Sequence, residues 1–294
     1  KKTEYRIGMV AKSESNDVFQ AAKTGAFDAA AELGKKYGVK VTIDWRTPPD
    51  EDAAKQADAV SALANMGADA ILVSCSDART LTGAINDAVD KGVTVACFDS
   101  DAPDSKRLFD YGTDDIECGQ IIVSELAKVM GDKGTIAILA GSQTAPNLQL
   151  RVKGAREELA KHPNMHELNN GNGVFYHQET PEKAAEAVSA AMNANPGKID
   201  GWAFVGGWPL FTDHALNWEP GTVKCVSCDA LPKQLEYLRD GHVQMLVSQD
   251  CYGWGYKGVQ YLLEDLIEGK KPASKIPNPL TKVTKENVDQ FASY

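Results

Sequence analysis

Two aspartates, Asp99 and Asp101, close the apolar run in "VACFDSDAP" (Val95–Pro103). Acids are poor strand formers, and a hydrophobic strand needs none to stop. An ionised carboxylate accepts several hydrogen bonds at defined angles, so hydroxyl or ammonium donors are its natural partners. Polar residues of the same kind follow other apolar runs. Lys12, Asn16 and Phe19 come in "AKSESNDVF" after the first, and Arg151 ends "GSQTAPNLQLR" after the sixth. Trp208 sits in "GGWPLF" after the eighth, Asp229 follows the ninth, and Gln249 ends the tenth. Carboxylates and amides at fixed positions, two cationic donors and aromatic faces together suit a molecule with many hydroxyls and C–H faces. A sugar or polyol offers both.

Each of these residues also has a plain structural reading. An Asp after a strand is often a helix N-cap, and Asp115 reads as one. Lys12 can be a solvated loop lysine, Phe19 a core residue, and Arg151, mid-helix, a surface ion-pair residue. Trp208 is harder to dismiss, because glycines and Pro209 leave it little helix to pack with. Weight comes from their joint position. In parallel α/β sheets, ligands bind beyond the carboxyl ends of the strands.

Enzyme signatures are missing. No GxGxxG follows the first strand, and "GNG" (Gly171–Gly173) precedes a strand instead. There is no P-loop and no GxSxG elbow. His162 and His166 have i,i+4 spacing, but Pro163 interrupts them and no acid lies between, which argues against zinc. Among six cysteines only Cys225 and Cys228 are closely spaced, on a segment that reads as a strand. Small buried residues are the simpler account. The expectation is a non-enzymatic chain with no cofactor and no metal. A net charge of −10 without Lys/Arg blocks repels phosphate backbones and argues against a nucleic-acid partner. No apolar run approaches the ~20 residues of a membrane span. The chain starts at Lys1, so a cleaved secretory leader is expected, with a missing upstream domain as the competing reading.

The elements that would carry these residues alternate strand and helix along 294 residues. Ten strands are expected, at residues 5–10, 39–45, 68–74, 93–98, 108–112, 134–140, 173–178, 201–205, 222–228 and 243–249. Helices are expected at 17–37, 50–66, 81–91, 115–130, 148–161, 181–195, 210–216, 232–240 and 252–268. Strands apolar throughout argue for parallel sheets covered on both faces. Ten are too many for one sheet here, so two sheets of about five are expected. The polar, proline-bearing tail from Lys270 reads as surface chain.

"SNDVFQAAKTGAFDAA", "GADAILVS", "VTVACFDSD", "RVKGAREEL", "CVSCDALPKQLEYLRDGHV" and "VSQDCYGWGYKGVQYLLEDLIEGKKP" resemble the type I periplasmic binding proteins. The likeness is to the ribose-binding-like receptors of ABC sugar importers and runs through nearly the whole chain. It implies α/β lobes of similar fold, each a parallel sheet flanked by helices, joined by three crossovers with a ligand cleft between them. The lobes would be 1–113 with 250–279, and 114–249 with 280–294. By position it implies Asn16, Phe19, Asp99 and Ser100 as ligand residues of the first lobe, and Arg151, Asp229 and Gln249 of the second. Val18, Ser100 and Gly206-Gly207-Trp208 depart from the ribose pattern, which puts ribose itself in question. Lys12 with "FDSD" is also similar to rhamnose and autoinducer-2 receptors. The function implied is an exported receptor, periplasmic or lipid-anchored, that works as a monomer and delivers a monosaccharide or polyol to a membrane permease. The effector domain of LacI-type regulators shares the fold and is the alternative from a different class.

Overall fold

A computed structural model describes residues 1–291; residues 292–294, the end of the second expected lobe, lie outside it. The chain divides into two units. The first comprises Lys1–Thr113, Thr144–Pro146 and Asp250–Asn278; the second comprises Asp114–Gln143, Asn147–Gln249 and the chain from Pro279.

The first unit begins β1 (Glu4–Val10), α1 (Asp17–Tyr37), β2 (Lys40–Trp45), α2 (Ala53–Asn65) and β3 (Ala70–Val73). It continues α3 (Ala78–Asp90), β4 (Thr94–Phe98) and β5 (Asp110–Gly112). The chain then passes through α4 (Asp115–Met130), β6 (Gly134–Gly141), α5 (Pro146–Leu159), β7 (Met165–Glu167), the short α6 (Leu168–Gly171) and β8 (Val174–Tyr176). Next come α7 (Pro181–Ala194), β9 (Gly201–Phe204), β10 (Lys224–Cys228), α8 (Pro232–Asp240) and β11 (Met245–Ser248). α9 (Cys251–Glu268) and β12 (Lys275–Pro277) return to the first unit, and β13 (Thr281–Val283) to the second.

Among the described residues the first sheet runs β12-β5-β4-β3-β1-β2, and the second runs β13-β11-β10-β9-β6-β7 with β8 also on β6. All pairings are parallel except β11 with β13. β3 and β9 are buried at every position, as strands covered on both faces must be. β4 shows how the faces divide. Val95 and Cys97 point into a core with Val60, Leu63, Leu81 and Ile85 of α2 and α3. Phe98, one residue on, meets Phe19 of α1 and Trp254 of α9 on the other face, as the two-residue period of a strand dictates. α1 and α9 touch backbone to backbone: a Cβ on Gly25 would lie 2.0 Å from Tyr252 O, and one on Gly255 1.8 Å from Ala22 O.

Three expectations need correction. The tail is not mere surface chain, because β12 extends the first sheet beside β5 and β13 pairs with β11. The cap of α4 is Asp114, whose side chain accepts from Glu117 N–H, and Asp115 is already helical. The helix expected at 210–216 is only a 3₁₀ turn, Trp208–Phe211.

Candidate binding site at the strand ends

In the first unit, Lys12 and Ser13 follow β1 and are 1% exposed, a burial lysine seldom reaches. Asn16 caps α1, its Oδ1 accepting from Val18 N–H at 3.2 Å. Phe19 sits in the three-ring cluster, 6.4 Å from Phe98 and 6.3 Å from Trp254 between centroids. Both are thus placed at the strand-end edge by structural contacts.

Asp99 follows β4 with φ of 62°, the left-handed region that costs a non-glycine residue energy. Its N–H donates to Tyr111 O at 3.1 Å, and its Oδ2 accepts from the Ser74 hydroxyl at 2.7 Å. Ser74 stands just after β3, so two neighbouring strand ends fix the carboxylate. Ser100 is fully buried, and its hydroxyl has no protein partner. Asp101 is claimed by Arg107 through two bonds of 2.8 Å, Nε to Oδ1 and Nη2 to Oδ2. That fork–fork pair holds the turn after β4.

Gln56 of α2 is the fastener of this edge. Its amide nitrogen donates to Ala11 O at 2.8 Å and Ser74 O at 2.7 Å, and its oxygen accepts from Ser76 N–H at 3.0 Å. It therefore ties the chain after β1 to the chain after β3. The second unit uses the same device: Gln234 donates to Gly207 O at 3.0 Å and accepts from Leu231 N–H at 2.8 Å. A Cβ on Gly207 would lie 2.0 Å from that Gln234 nitrogen and 2.6 Å from the backbone oxygen of Cys228, so a larger residue would break this fastening.

Asp229 follows β10 as Asp99 follows β4, each after the third strand of its own sheet. It too is left-handed, with φ of 73°, and its N–H donates to Val247 O at 2.7 Å. A relay runs from it. Gln249 Nε2 donates to Asp229 Oδ1 at 2.7 Å, and Gln249 Oε1 accepts from Arg151 Nη2 at 2.7 Å. Arg151, 2% exposed, also donates through Nε to Asp115 at 2.9 Å and through Nη1 to Val205 O at 2.8 Å. It reaches this depth because α5 lies close on α4: a Cβ on Gly119 would be 2.0 Å from Arg151 O. The structure thus joins Arg151, Gln249 and Asp229 in one network, with Asp115 as charge partner.

Trp208 is 3% exposed. Its six-membered ring fills a slot left by Gly141 and Gly206, where Cβ atoms would come within 2.7–2.9 and 2.5–2.8 Å of neighbouring atoms. His177, after β8, packs edge-to-face on it at 4.5 Å between centroids. Burial lowers the His177 pKa to about 4, so the ring is neutral near pH 7. Neither Ser74, Gln56, Gln234 nor His177 carries a signal in the sequence beyond lying near a strand end or on a helix.

All six cysteines are buried thiols. Cys225 and Cys228 do not pair with each other. Cys228 Sγ lies 3.9 Å from Cys118 Sγ, and burial followed by that contact pushes its thiol well up. Cys97 is pushed up by its hydrogen bond with Cys75 and then by burial. Among the described residues no group of three or more His, Cys, Asp or Glu side chains could hold a metal ion, and no helix is long and apolar enough to cross a membrane.

Each edge carries a buried carboxylate, Asp99 in the first unit and Asp229 in the second. Residues 7–271 match the family described as periplasmic binding protein domain. The chain belongs to the periplasmic binding protein domain family. Among its relatives is the ribose import binding protein RbsB of Bacillus subtilis (strain 168), 22% identical over 289 residues, which are 97% of this chain and 89% of that one. A solute-binding protein from Burkholderia graminis C4D1M, solved in complex with D-arabinose, has a TM-score of 0.89 at 22% identity, covering 100% of this chain and 99% of that one. A solute-binding protein from Agrobacterium vitis, bound with alpha-D-tagatopyranose, has a TM-score of 0.86 at 22% identity, covering 99% of each. The fold is the type I periplasmic binding protein fold, two parallel sheets flanked by helices. Members of this family are non-enzymatic receptors.

Proposed function

We propose that this periplasmic binding protein is an exported receptor that captures a neutral monosaccharide or polyol and delivers it to an ABC importer. The observation that carries the reading is the matched pair Asp99 and Asp229. Both are buried, both are held in left-handed backbone after the third strand of their sheet, and both are fixed by a side-chain donor. Strain of this kind persists where the surroundings over-determine it, and functional sites are where it gathers. A carboxylate already ordered binds hydroxyls without a further ordering cost. Arg151 serves Asp229 through Gln249, and Asp115 offsets its charge, which favours a neutral ligand over an anionic one. Ribose, D-arabinose and tagatose, named for the three relatives, belong to this chemical class.

The test is a thermal-shift screen across pentoses, hexoses, deoxysugars (L-rhamnose included) and polyols, followed by calorimetric titration. A true ligand raises the midpoint by mass action. Asp99→Asn and Asp229→Asn should each weaken the best sugar by about 2–4 kcal/mol, because a charge-assisted bond in a buried site is lost. Asp101→Asn, whose partner is Arg107, should weaken it less. No binding across the panel, or equal small losses for all three variants, would overturn the reading.

A further inference from the structure

We infer that His177 is a specificity-determining residue of the second unit, donating its Nε2–H to a ligand oxygen beside the Trp208 ring. The inference rests on the sugar-receptor reading.

Position comes first. β8, β6 and β9 are neighbours in the sheet, and His177, Gly141 and Trp208 belong to the chain at their carboxyl ends. His177 N–H donates to Gly141 O at 3.1 Å, which ties the loop after β8 to the end of β6. His177 is therefore built into the same edge as Trp208 and Asp229.

The tautomer follows from the next residues. His177 Nδ1 accepts from Glu179 N–H at 2.9 Å, so in the neutral ring the proton sits on Nε2. Burial favours that neutral form, against the opposite pull of the Glu179 carboxylate. Nε2 is itself buried and has no protein hydrogen-bond partner. A buried donor without an acceptor is costly, and proteins keep few of them. This one lies at the edge where ligands of parallel α/β sheets bind, not in the core under the sheet.

The chemistry of the second unit's edge then has a gap that His177 fills. Asp229 is an acceptor and recognises ligand hydroxyls as donors. The Arg151 guanidinium is directed at Asp115, Val205 and Gln249. His177 supplies a donor for an oxygen that lies against the Trp208 ring. A hydroxyl, ring or carbonyl oxygen qualifies. A sugar with hydrogen in place of that oxygen would leave Nε2–H unpaired again, so discrimination against one deoxy position is the signature.

The experiment measures Kd calorimetrically for D-arabinose, D-ribose, D-tagatose and xylitol, and then for the monodeoxy analogues of whichever binds tightest. Wild type, His177→Gln, His177→Phe and His177→Leu are compared. Gln keeps a donor; Phe and Leu do not, and having both keeps the test alive if one folds poorly. The expected result is a loss of about tenfold or more for Phe and Leu, with Gln within about threefold of wild type. One deoxy analogue should bind wild type about tenfold more weakly than its parent, and the Phe variant equally well. If all variants bind like wild type, or if Phe weakens parent and every analogue alike, His177 is only structural and the inference fails while the receptor reading stands. If wild type binds no pentose, hexose, deoxysugar or polyol of the wider screen, the receptor reading fails and takes the inference with it.

Discussion

Arg151 and Asp115 form a buried ion pair whose worth can be measured apart from any ligand. Their side chains are 3% and 11% exposed, 2.9 Å apart, and the guanidinium also serves Val205 O and Gln249. Arg151→Met keeps a long side chain but leaves the Asp115 carboxylate buried beside an empty donor position. Breaking a buried pair from one side costs about 3–5 kcal/mol. For a unit of this size each kcal/mol moves the melting midpoint by about 2–4 °C, so a fall of about 6–20 °C is expected. Asp115→Asn should cost less, because an amide oxygen still accepts from Nε. The double variant removes both charges and should be more stable than the two single losses predict. A coupling of at least about 1 kcal/mol is expected from residues in contact, whereas independent sites add to within about 0.5 kcal/mol. Calorimetric melting of the four proteins decides it. Additive losses would show that Asp115 does not neutralise Arg151, and the argument for a neutral ligand would lose its footing. Arg151→Lys should fall between wild type and Met, since a point charge cannot span three acceptors in the planar fork.

Gly119→Ala should destabilise the protein by about 1–3 kcal/mol in urea, because its Cβ would meet Arg151 O at 2.0 Å and force α5 away from α4; a change under about 0.5 kcal/mol would refute the close contact. A thiol reagent should label fewer than one cysteine per native chain and all six in denaturant, since all six are buried; rapid native labelling of Cys228 would contradict its burial beside Arg151, whose Nη1 donates to its Sγ at 3.6 Å. The lowered pKa of His177 makes the unfolded chain bind a proton that the folded chain refuses, so stability is full above about pH 6.5 and falls as pH drops toward 4. The loss should approach about 3 kcal/mol at most and be absent in His177→Gln. Glu167, which burial pushes up but Arg156 and Gly173 N–H hold below 4.5, contributes its own loss only at lower pH, so urea melts between pH 6.5 and 4.5 isolate the histidine.

The class of fold was legible because it rests on local chemistry. Apolar runs such as Thr94–Phe98 and Gly201–Phe204 read as strands covered on both faces, and helices such as α1 and α3 carry side-chain caps, Asn16 and Asp77, within their own sequence. A parallel sheet follows, and with it the rule that the informative residues stand just past the strands. That rule singles out Lys12, Asp99, Trp208 and Asp229 as candidates. β12 and β13 were not, since three residues such as Lys275–Pro277 have no pattern of their own and become strands only where a sheet edge awaits them. Nor could the sequence show that Asp99 and Asp229 adopt left-handed backbone, with their N–H groups donating to Tyr111 O and Val247 O. Gln56 bonds residues 45 and 18 positions away, and Arg151 reaches Gln249 across 98. Such partners are chosen by distance in space, and a hydrogen bond that fails beyond about 3.5 Å leaves no trace along the chain. Sequence alone determined the buried strands and the polar residues that end them; only the packed sheets decided which of those residues touch, and so which are held in place by partners distant along the chain.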